Sequence, residues 1–312
     1  MSKPQAGVIA NSGWQRGFKK ALPYYLMFLA PLIYFIVFRY VPVVMAFIIS
    51  FMDYNVYKGI LASHWAGFKH FSDFFHSVYF WRLLRNTLMI NVLHLIFVFP
   101  APIVFALLLN EVRITAIKRT VQTISYLPHF VSTVIVASMA VTFLSPTVGL
   151  INNMLVQLGL ERTSFLLQPG YFWGIFTGID LWKTLGWSAI LYFAALTGIN
   201  TELYEAARVD GASRWRQTWH ITLPGILPTI VILFLLKIGH MLDVGYDLII
   251  LLYNPNTYIT ADVIGSYMYR RGILEANYSF ASAVGLFQSV MGLILIVTAN
   301  KLARKVSDTS LW

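Results

Sequence analysis

Asp180 and Lys183 are two ionisable residues in an otherwise apolar stretch, "FWGIFTGIDLWKTLGWSAILYFAAL". Ionisable groups at membrane depth are costly and rare, so each is a candidate for a functional role. Because they lie three residues apart, the two side chains share one face of a helix and can neutralise each other as an ion pair. Two alternatives stay open: Lys183 snorkels near the outer end of its helix, or it lines a cavity and meets an anionic group on a substrate.

His240, Asp243 and Asp247 form a second polar group in "KIGHMLDVGYDLIILLYNP". If this stretch is helical, spacings of three and four residues place all three on one face. Side chains of these types can bind a metal ion, but the sequence supplies nothing to complete the coordination shell. We therefore expect no metal site here and favour one polar wall of a water-lined cavity.

Other candidates for a substrate pathway are polar or aromatic residues of the apolar stretches. They are Asn91, His94, Trp182, Trp187 and Tyr246. Asn91 and His94 can face the cavity, although a hydrogen bond between helices is the plainer explanation of a histidine in such a stretch. Aromatic rings offer flat faces on which sugars stack, but most aromatic residues of a membrane chain belong to its core or to interfacial belts. Lys237 can snorkel or pair within the bundle.

No arrangement typical of an enzyme active site is visible in the sequence. The chain has no cysteine, which excludes disulfides and thiolate metal sites, and no nucleophile lies beside a general base. The pattern G-x-x-x-x-G-K-[ST] is absent, so the chain cannot bind ATP phosphates by the usual loop. We expect neither enzymatic activity nor a cofactor in this chain.

The composition is that of an integral membrane protein. Hydrophobic residues make up 58% of the 312 residues and charged residues only 12%, against about 25% charged residues in soluble domains, and the mean hydropathy is +0.67. The net charge of +10 is scattered between apolar stretches rather than gathered on one face. This scatter indicates orientation in lipid and argues against a nucleic-acid partner.

Six apolar stretches are long enough to cross a membrane as helices, each needing about 20 residues. They cover residues 23–51, 87–110, 121–145, 171–197, 225–252 and 279–300. The first contains Arg39 and Pro42, but we interpret it as one kinked helix, since a split would leave a piece too short to cross. The prediction is an all-α protein with one six-span domain, residues 23–300. The remaining parts are an N-terminal tail, a loop inside the domain and a C-terminal tail: 1–22, 198–224 and 301–312.

Lysines and arginines outside these spans are distributed unequally between the two sides, thirteen against seven. The larger set is Lys3, Arg16, Lys19, Lys20, Arg113, Lys118, Arg119, Arg208, Arg214, Arg216, Lys301, Arg304 and Lys305. The smaller set is Lys58, Lys69, Arg82, Arg85, Arg162, Arg270 and Arg271. Because cytoplasmic loops carry the excess of positive charge, both termini and residues 198–224 are predicted to be cytoplasmic.

The predicted loop contains the polar stretch "YEAARVDGASRWRQTWHITLP". Glu205 lies in a good helical sequence, which Asp210-Gly211 is expected to end because Gly211 can adopt a positive φ. Ser213 is a plausible N-cap of a second helix.

The second helix places Trp215 and Trp219 on one face, and Pro224 is expected to end it before the next span. Such a segment can be an ordinary surface loop, or it can be a rigid amphipathic helix–turn–helix that is fixed at both ends by a membrane span.

The order of residues in this segment resembles the cytoplasmic loop of binding-protein-dependent ABC importer permeases. The matching positions are Glu205, Ala206, Ala207, Asp210, Gly211, Ala212, Trp219, Ile221, Leu223, Pro224 and Pro228. The resemblance implies a type I ABC importer permease fold in a bacterial plasma (inner) membrane. It also implies that this loop is the coupling helix, which seats in a groove of an ATP-binding subunit.

The resemblance further implies partners. These are a second homologous permease, two ATP-binding subunits that hold ATP and Mg²⁺, and a periplasmic or lipid-anchored solute-binding protein. Glu205 would pair with a basic residue of the ATPase, and Trp215 or Trp219 would anchor the loop in a pocket.

Short motifs indicate an oligosaccharide as substrate. "FRYVP", "DYN", "WKTLGW", "LLYNP", "ADVI" and the terminal "SLW" look like permeases for complex oligosaccharides, including Lpl-type, alginate and rhamnogalacturonan importers. We expect an oligosaccharide importer of the maltose-type plan, with an acidic sugar such as an alginate fragment as a possible substrate.

Several alternatives remain open. Within the ABC class, they are a permease for neutral malto-oligosaccharides, amino acids or phosphate. Outside it, a proton-coupled secondary transporter would use intramembrane Asp and His as a proton relay. A membrane-embedded glycosyltransferase would need clustered carboxylates at an interface, and the sequence shows none.

Overall fold

A computed structural model of the chain describes residues 12–306 and residue 311, and their regular structure is almost entirely helical. The α-helices are α1 Ser12–Phe35, α2 Val41–Ile49, α3 Lys69–Phe75, α4 Phe80–Leu93, α5 Pro100–Asn110, α6 Thr115–Phe130, α7 Thr133–Phe143, α8 Leu150–Gln157, α9 Pro169–Thr197, α10 Thr201–Val209, α11 Arg214–Gln217, α12 Leu223–Gly239, α13 Tyr246–Leu252, α14 Tyr258–Ala261, α15 Ile264–Tyr269 and α16 Tyr278–Val306.

Shorter elements connect several of these helices. The π-helical turns are Ile36–Tyr40, His94–Val98, Thr218–Thr222 and Arg270–Leu274, and the 3-10 turns are Phe165–Leu167 and Pro255–Thr257. The strands β1 Met52–Asp53 and β2 His64–Trp65 pair antiparallel, with Met52 opposite Trp65 and Asp53 opposite His64. Lys3 and most of the terminal "SLW", which entered the predictions, lie outside the described residues.

Four helical segments of the described chain are long and apolar enough to cross a membrane. They are Ala21–Ile49, Phe80–Asn110, Arg214–Gly239 and Tyr278–Lys305. Helix α9 has 29 residues, about 43 Å at 1.5 Å per residue, but its glycines, aromatic residues and two charged residues make it less apolar. Six crossings with cytoplasmic termini therefore stay a prediction.

The first apolar stretch is one helix that continues through Arg39 and Pro42. A π-helical turn ends just before Pro42, with the Val41 amide bonded to the Ile36 carbonyl. The wider turn is one local adjustment by which a helix continues past a proline. Within the chain, this first long helix packs mainly against α16.

The predicted span over residues 121–145 is not a single helix in the structure. Helices α6 and α7 meet at an angle of 98°. Val131 and Ser132 have extended backbone conformations, and the Ser132 hydroxyl accepts the Ile135 amide as the N-cap of α7. The stretch therefore consists of two helices joined at a sharp bend.

The prediction for residues 225–252 also needs correction. The helix that enters this region continues from Arg214 and ends at Gly239, and a separate helix, α13, begins after six intervening residues. Tertiary contacts stabilise this break, since Gln288 Nε2 of α16 donates to the Leu242 carbonyl at 2.7 Å. Gly292 allows the close approach of α16, because a Cβ there would lie 2.6 Å from the Gly239 carbonyl oxygen.

Helix α9 lies at the centre of the bundle and contacts α5, α6, α12 and α14. Its closest approach is to α6, where a Cβ on Gly186 would lie 2.2 Å from the Ser125 carbonyl oxygen. Ala189 and Tyr192 of α9 pack with Ala106 of α5 in one buried apolar cluster. Helix α9 is therefore packed closely against both α5 and α6.

A buried carboxylate joins α4 to α15 away from this central region. The Asp262 side chain is fully buried, and it accepts hydrogen bonds from Arg270 Nη2 at 2.7 Å, Arg82 Nη2 at 3.3 Å and Ser266 Oγ at 2.8 Å. Burial opposes the charge on Arg270, but the hydrogen bond and the charge of Asp262 outweigh it and raise the pKa of Arg270. This cluster stabilises the connection between α14 and α15.

Candidate functional site

The helix–turn–helix segment, residues 198–224, begins with a helix that has well-defined ends. Asn200 is the N-cap of α10, and its side chain accepts the Glu202 amide at 2.9 Å. At the C-terminus, Gly211 has a φ of +74°, which confirms the predicted left-handed turn. The amides of Gly211 and Ala212 donate to the carbonyls of Arg208 and Ala207 at 3.1 and 2.8 Å, which is the Schellman arrangement.

The second helix of the segment begins at the predicted cap. Ser213 accepts the Arg216 amide, and the rings of Trp215 and Trp219 lie 5.8 Å apart on one exposed face. The helix does not end at Pro224, contrary to the prediction. The π-helical turn before it bonds the Leu223 amide to the Thr218 carbonyl, and the helix continues through the proline into α12.

Contacts hold the segment against the rest of the chain without covering its motif. Arg214 Nη1 donates to Glu111 Oε2, outside the segment, at 3.0 Å. Within the segment, Tyr204 Oη and Thr222 Oγ1 lie 3.0 Å apart and join its first helix to its last turn. The exposed motif positions are Glu205, Ala206, Asp210, Gly211, Trp219 and Pro224, and the half-buried ones are Ala207, Ala212, Ile221 and Leu223. The segment is thus a firmly attached surface with exposed charged and aromatic side chains.

A polar cavity of about 280 Å³ lies between the π-helical turn His94–Val98 and the helices α7, α9, α12 and α13. Its polar and charged lining residues are His94, Thr133, Asp180, Lys183, Lys237, Asp243 and Asp247. The structure therefore brings together five of the residues that the sequence nominated. It adds Thr133 and Lys237, which sequence reasoning had not placed in a substrate pathway.

The contacts inside the polar cavity differ from the expected ion pair. Lys183 Nζ donates to Thr133 Oγ1 at 2.7 Å, and within the described residues no ion pair joins it to Asp180. Instead, Asp180 Oδ2 lies 3.8 Å from His94 Nε2, and the His94 ring stacks on Phe176. The shared helical face was correctly inferred, but the partners come from other helices.

A larger cavity of about 560 Å³ adjoins the polar one. Asp180 and Lys237 line both cavities, and the larger one is otherwise mostly apolar, with Phe99, Trp187 and Tyr192 in its wall. The Trp187 ring stacks on His129 with the ring centroids 4.3 Å apart. A charged pocket therefore opens beside a wall of aromatic faces.

The remaining nominated residues lie elsewhere. His240 follows the end of α12 and lines the larger cavity, so it does not share a helix face with Asp243 and Asp247 as predicted. Asn91 is buried and donates to the Thr87 carbonyl of its own helix. Tyr246 stacks on Tyr269 and lines a separate cavity.

Trp182 faces away from the polar cavity and lines an apolar pocket formed with α7 and α8.

Over the described part of the chain, no three His, Asp or Glu side chains are arranged to hold a metal ion. The geometry is that of a charged pocket for a polar molecule.

Comparisons with known proteins agree on one family. A family model described as "Binding-protein-dependent transport system inner membrane component" matches residues 98–308. Protein LplB of Bacillus subtilis is 44% identical over 299 residues, which cover 96% of this chain and 94% of LplB. The polygalacturonan/rhamnogalacturonan transport system permease protein YteP of the same organism is 44% identical over 288 residues, covering 92% of this chain and 89% of YteP.

A solved structure shares the fold over nearly the whole chain. It is the crystal structure of a bacterial alginate ABC transporter in complex with an alginate pentasaccharide-bound periplasmic protein. One of its chains is 44% identical to this one and matches with a TM-score of 0.87, covering 95% of this chain and 99% of that chain.

Proposed function

We propose that this chain, which belongs to the family of binding-protein-dependent transport system inner membrane components, is the permease subunit of an ATP-driven oligosaccharide importer. It would span a bacterial inner membrane several times and provide one half of an alternating-access pathway. A second, homologous permease would provide the other half. The chain would carry out no chemistry on its substrate.

The observation that carries this proposal is the helix–turn–helix segment. Its second helix continues without interruption into α12, so a displacement of the segment is transmitted directly to a membrane helix. A capped first helix and a Schellman turn restrict its internal motion. A partner subunit can bind such a rigid surface, because Glu205 and Trp219 are exposed for contact.

Two partner subunits would bind ATP and Mg²⁺, because this chain has no phosphate-binding loop. Closure of the nucleotide-bound subunits would pull the segment and rock α12 against α16 and α9, with which it packs. A periplasmic or lipid-anchored solute-binding protein would deliver the substrate to the opposite, outer face.

Relatives favour an acidic oligosaccharide over a neutral one. The names of YteP and of the solved alginate transporter refer to polymers of sugar acids. The polar cavity has lysines among its lining residues, and the adjoining cavity has aromatic faces suited to sugar rings. An alginate fragment is therefore our first choice of substrate, ahead of a neutral malto-oligosaccharide.

Substrate-stimulated ATP hydrolysis tests this proposal. The complete complex would be reconstituted in liposomes with its solute-binding protein and offered a panel of acidic and neutral oligosaccharides. Stimulation by an oligosaccharide, with uptake that stops on ATP depletion, is the expected result. Uptake that continues without ATP while a proton gradient persists would instead identify a proton-coupled transporter.

A further inference from the structure

Groups that favour negative charge converge on one part of the polar cavity. Lys183 and Lys237 line it, and no carboxylate of the described residues lies within salt-bridge distance of either ammonium group. Helix α7, of 11 residues, begins at the same wall with Thr133. The N-terminus of a helix carries partial positive charge and unpaired amides, which attract anions.

An independent observation points to a hydrogen-bonding molecule in this part of the cavity. The His94 residue is 5% exposed and lines the cavity, yet its Nε2 atom has no hydrogen-bond partner among the described residues. The Asp180 carboxylate lies 3.8 Å from this atom, beyond hydrogen-bond distance. A buried polar atom left unpaired costs about 1–3 kcal/mol. A hydrogen-bonding oxygen of a bound molecule would satisfy it.

Three carboxylates, those of Asp180, Asp243 and Asp247, line the same cavity as the two lysines. Asp243 and Asp247 are both exposed to the cavity region and form no ion pair with another described residue. The negative charges of Asp180 and Asp243 attract the Lys237 ammonium group, although both lie beyond salt-bridge distance. Carboxylates in such positions accept hydrogen bonds from hydroxyl groups, whereas a simple anion would be repelled by them.

The volume restricts what can bind. About 280 Å³ is near the lower end of the range for small-molecule pockets, roughly 300–1,000 Å³. The polar cavity can therefore hold one sugar residue but not a chain of them. Neighbouring residues of an oligosaccharide would occupy the adjoining cavity, whose wall includes Trp187 and Tyr192.

We propose that the polar cavity is a subsite for a single uronate residue. Lys183 and Lys237 meet its carboxylate, His94 Nε2 donates to one of its oxygens, and Asp243 and Asp247 accept its hydroxyl groups. The mixture of cations and acceptors selects a sugar that carries both a carboxylate and hydroxyls. This inference rests on the proposed function and names the substrate class that the site recognises.

The test compares two ligands that differ only in charge. An oligouronate and the same oligosaccharide with its carboxyl groups reduced to alcohols would each stimulate ATP hydrolysis by the reconstituted complex. For Lys183→Gln and Lys237→Gln, we expect the KM for the oligouronate to rise about tenfold or more, as for loss of a hydrogen bond to a charged group. The KM for the reduced ligand should change by less than about twofold.

Control variants separate recognition from folding. Lys183→Arg and Lys237→Arg keep the charge and should retain most of the preference for the oligouronate. Lys301→Gln removes the same charge from an exposed position on α16 and should alter neither KM. Equal losses for both ligands, or no preference for the oligouronate in the native complex, would overturn the subsite while leaving an oligosaccharide importer. A complex that no oligosaccharide stimulates would overturn the proposed function and this subsite with it.

Discussion

The backbone amide of Ala212 donates to the carbonyl of Ala207 at 2.8 Å. This hydrogen bond forms the turn that ends α10. Gly211 lies within this turn with a φ of +74°. The bond sets the angle between α10 and the helix that continues into α12. The direction in which α10 projects from the helix that continues into the membrane therefore depends on one left-handed residue.

Replacing Gly211 should uncouple transport from ATP hydrolysis. In Gly211→Val, a β-branched residue would have to adopt the left-handed conformation, which costs about 1–2 kcal/mol, and the turn would relax to another geometry. Transport per ATP hydrolysed in proteoliposomes should fall several-fold while the protein stays in the membrane. Gly159→Val is the matched control, because Gly159 also has a positive φ and open surroundings. Equal coupling in both variants would contradict the prediction.

Reversing the charge of Glu205 should weaken the contact with the ATPase subunits. Glu205 is exposed and forms no ion pair within the described residues, so it is available to a basic partner residue. In Glu205→Arg, substrate stimulation of ATP hydrolysis should decrease markedly. Glu202→Arg, one turn earlier in the same helix, should cost only about 0.3–1 kcal/mol of helix stability and leave stimulation largely intact. If Glu205→Arg kept full stimulation, Glu205 would not be part of the contact.

Removing the buried charge of Asp262 should destabilise the protein. Asp262→Asn leaves Arg82 and Arg270 partly buried without their carboxylate, and breaking such a pair costs about 3–5 kcal/mol. Thermal unfolding of the detergent-solubilised complex should show a clearly lower Tm. Glu111→Gln is the control, since its pair with Arg214 is about half exposed and worth about 0–1 kcal/mol. Similar shifts for both would argue against a structural role of the buried cluster.

A side chain at position 186 should disturb the packing of α6 against α9. A Cβ there would lie 2.2 Å from the Ser125 carbonyl oxygen, so Gly186→Ala forces the helices apart. Overpacking of this kind costs about 1–3 kcal/mol, and the Tm should fall accordingly. Gly174→Ala, on the same helix, meets nothing within 4 Å and should raise or preserve the Tm. An unchanged Tm in Gly186→Ala would show that the contact is not tight.

Local rules were enough to predict the helix–turn–helix segment. Gly211 adopts the positive φ and Ser213 caps the second helix, as expected from their residue types. These features depend on hydrogen bonds between residues close in the chain, and the family resemblance of the segment is confirmed by the matching family model. The roles of its residues in coupling stay predictions.

Composition and apolar runs determined from the sequence alone that the chain is a helical membrane protein. Tertiary structure decided where those helices break, because contacts from distant residues replace backbone bonds within a helix. Gln288 supplies such a contact to the Leu242 carbonyl, and Pro224 is accommodated inside a helix by a wider turn. The polar cavity was decided in the same way. Sequence spacing placed Asp180 and Lys183 on one face, but only the packing of separate helices brought His94 and Lys237 to them.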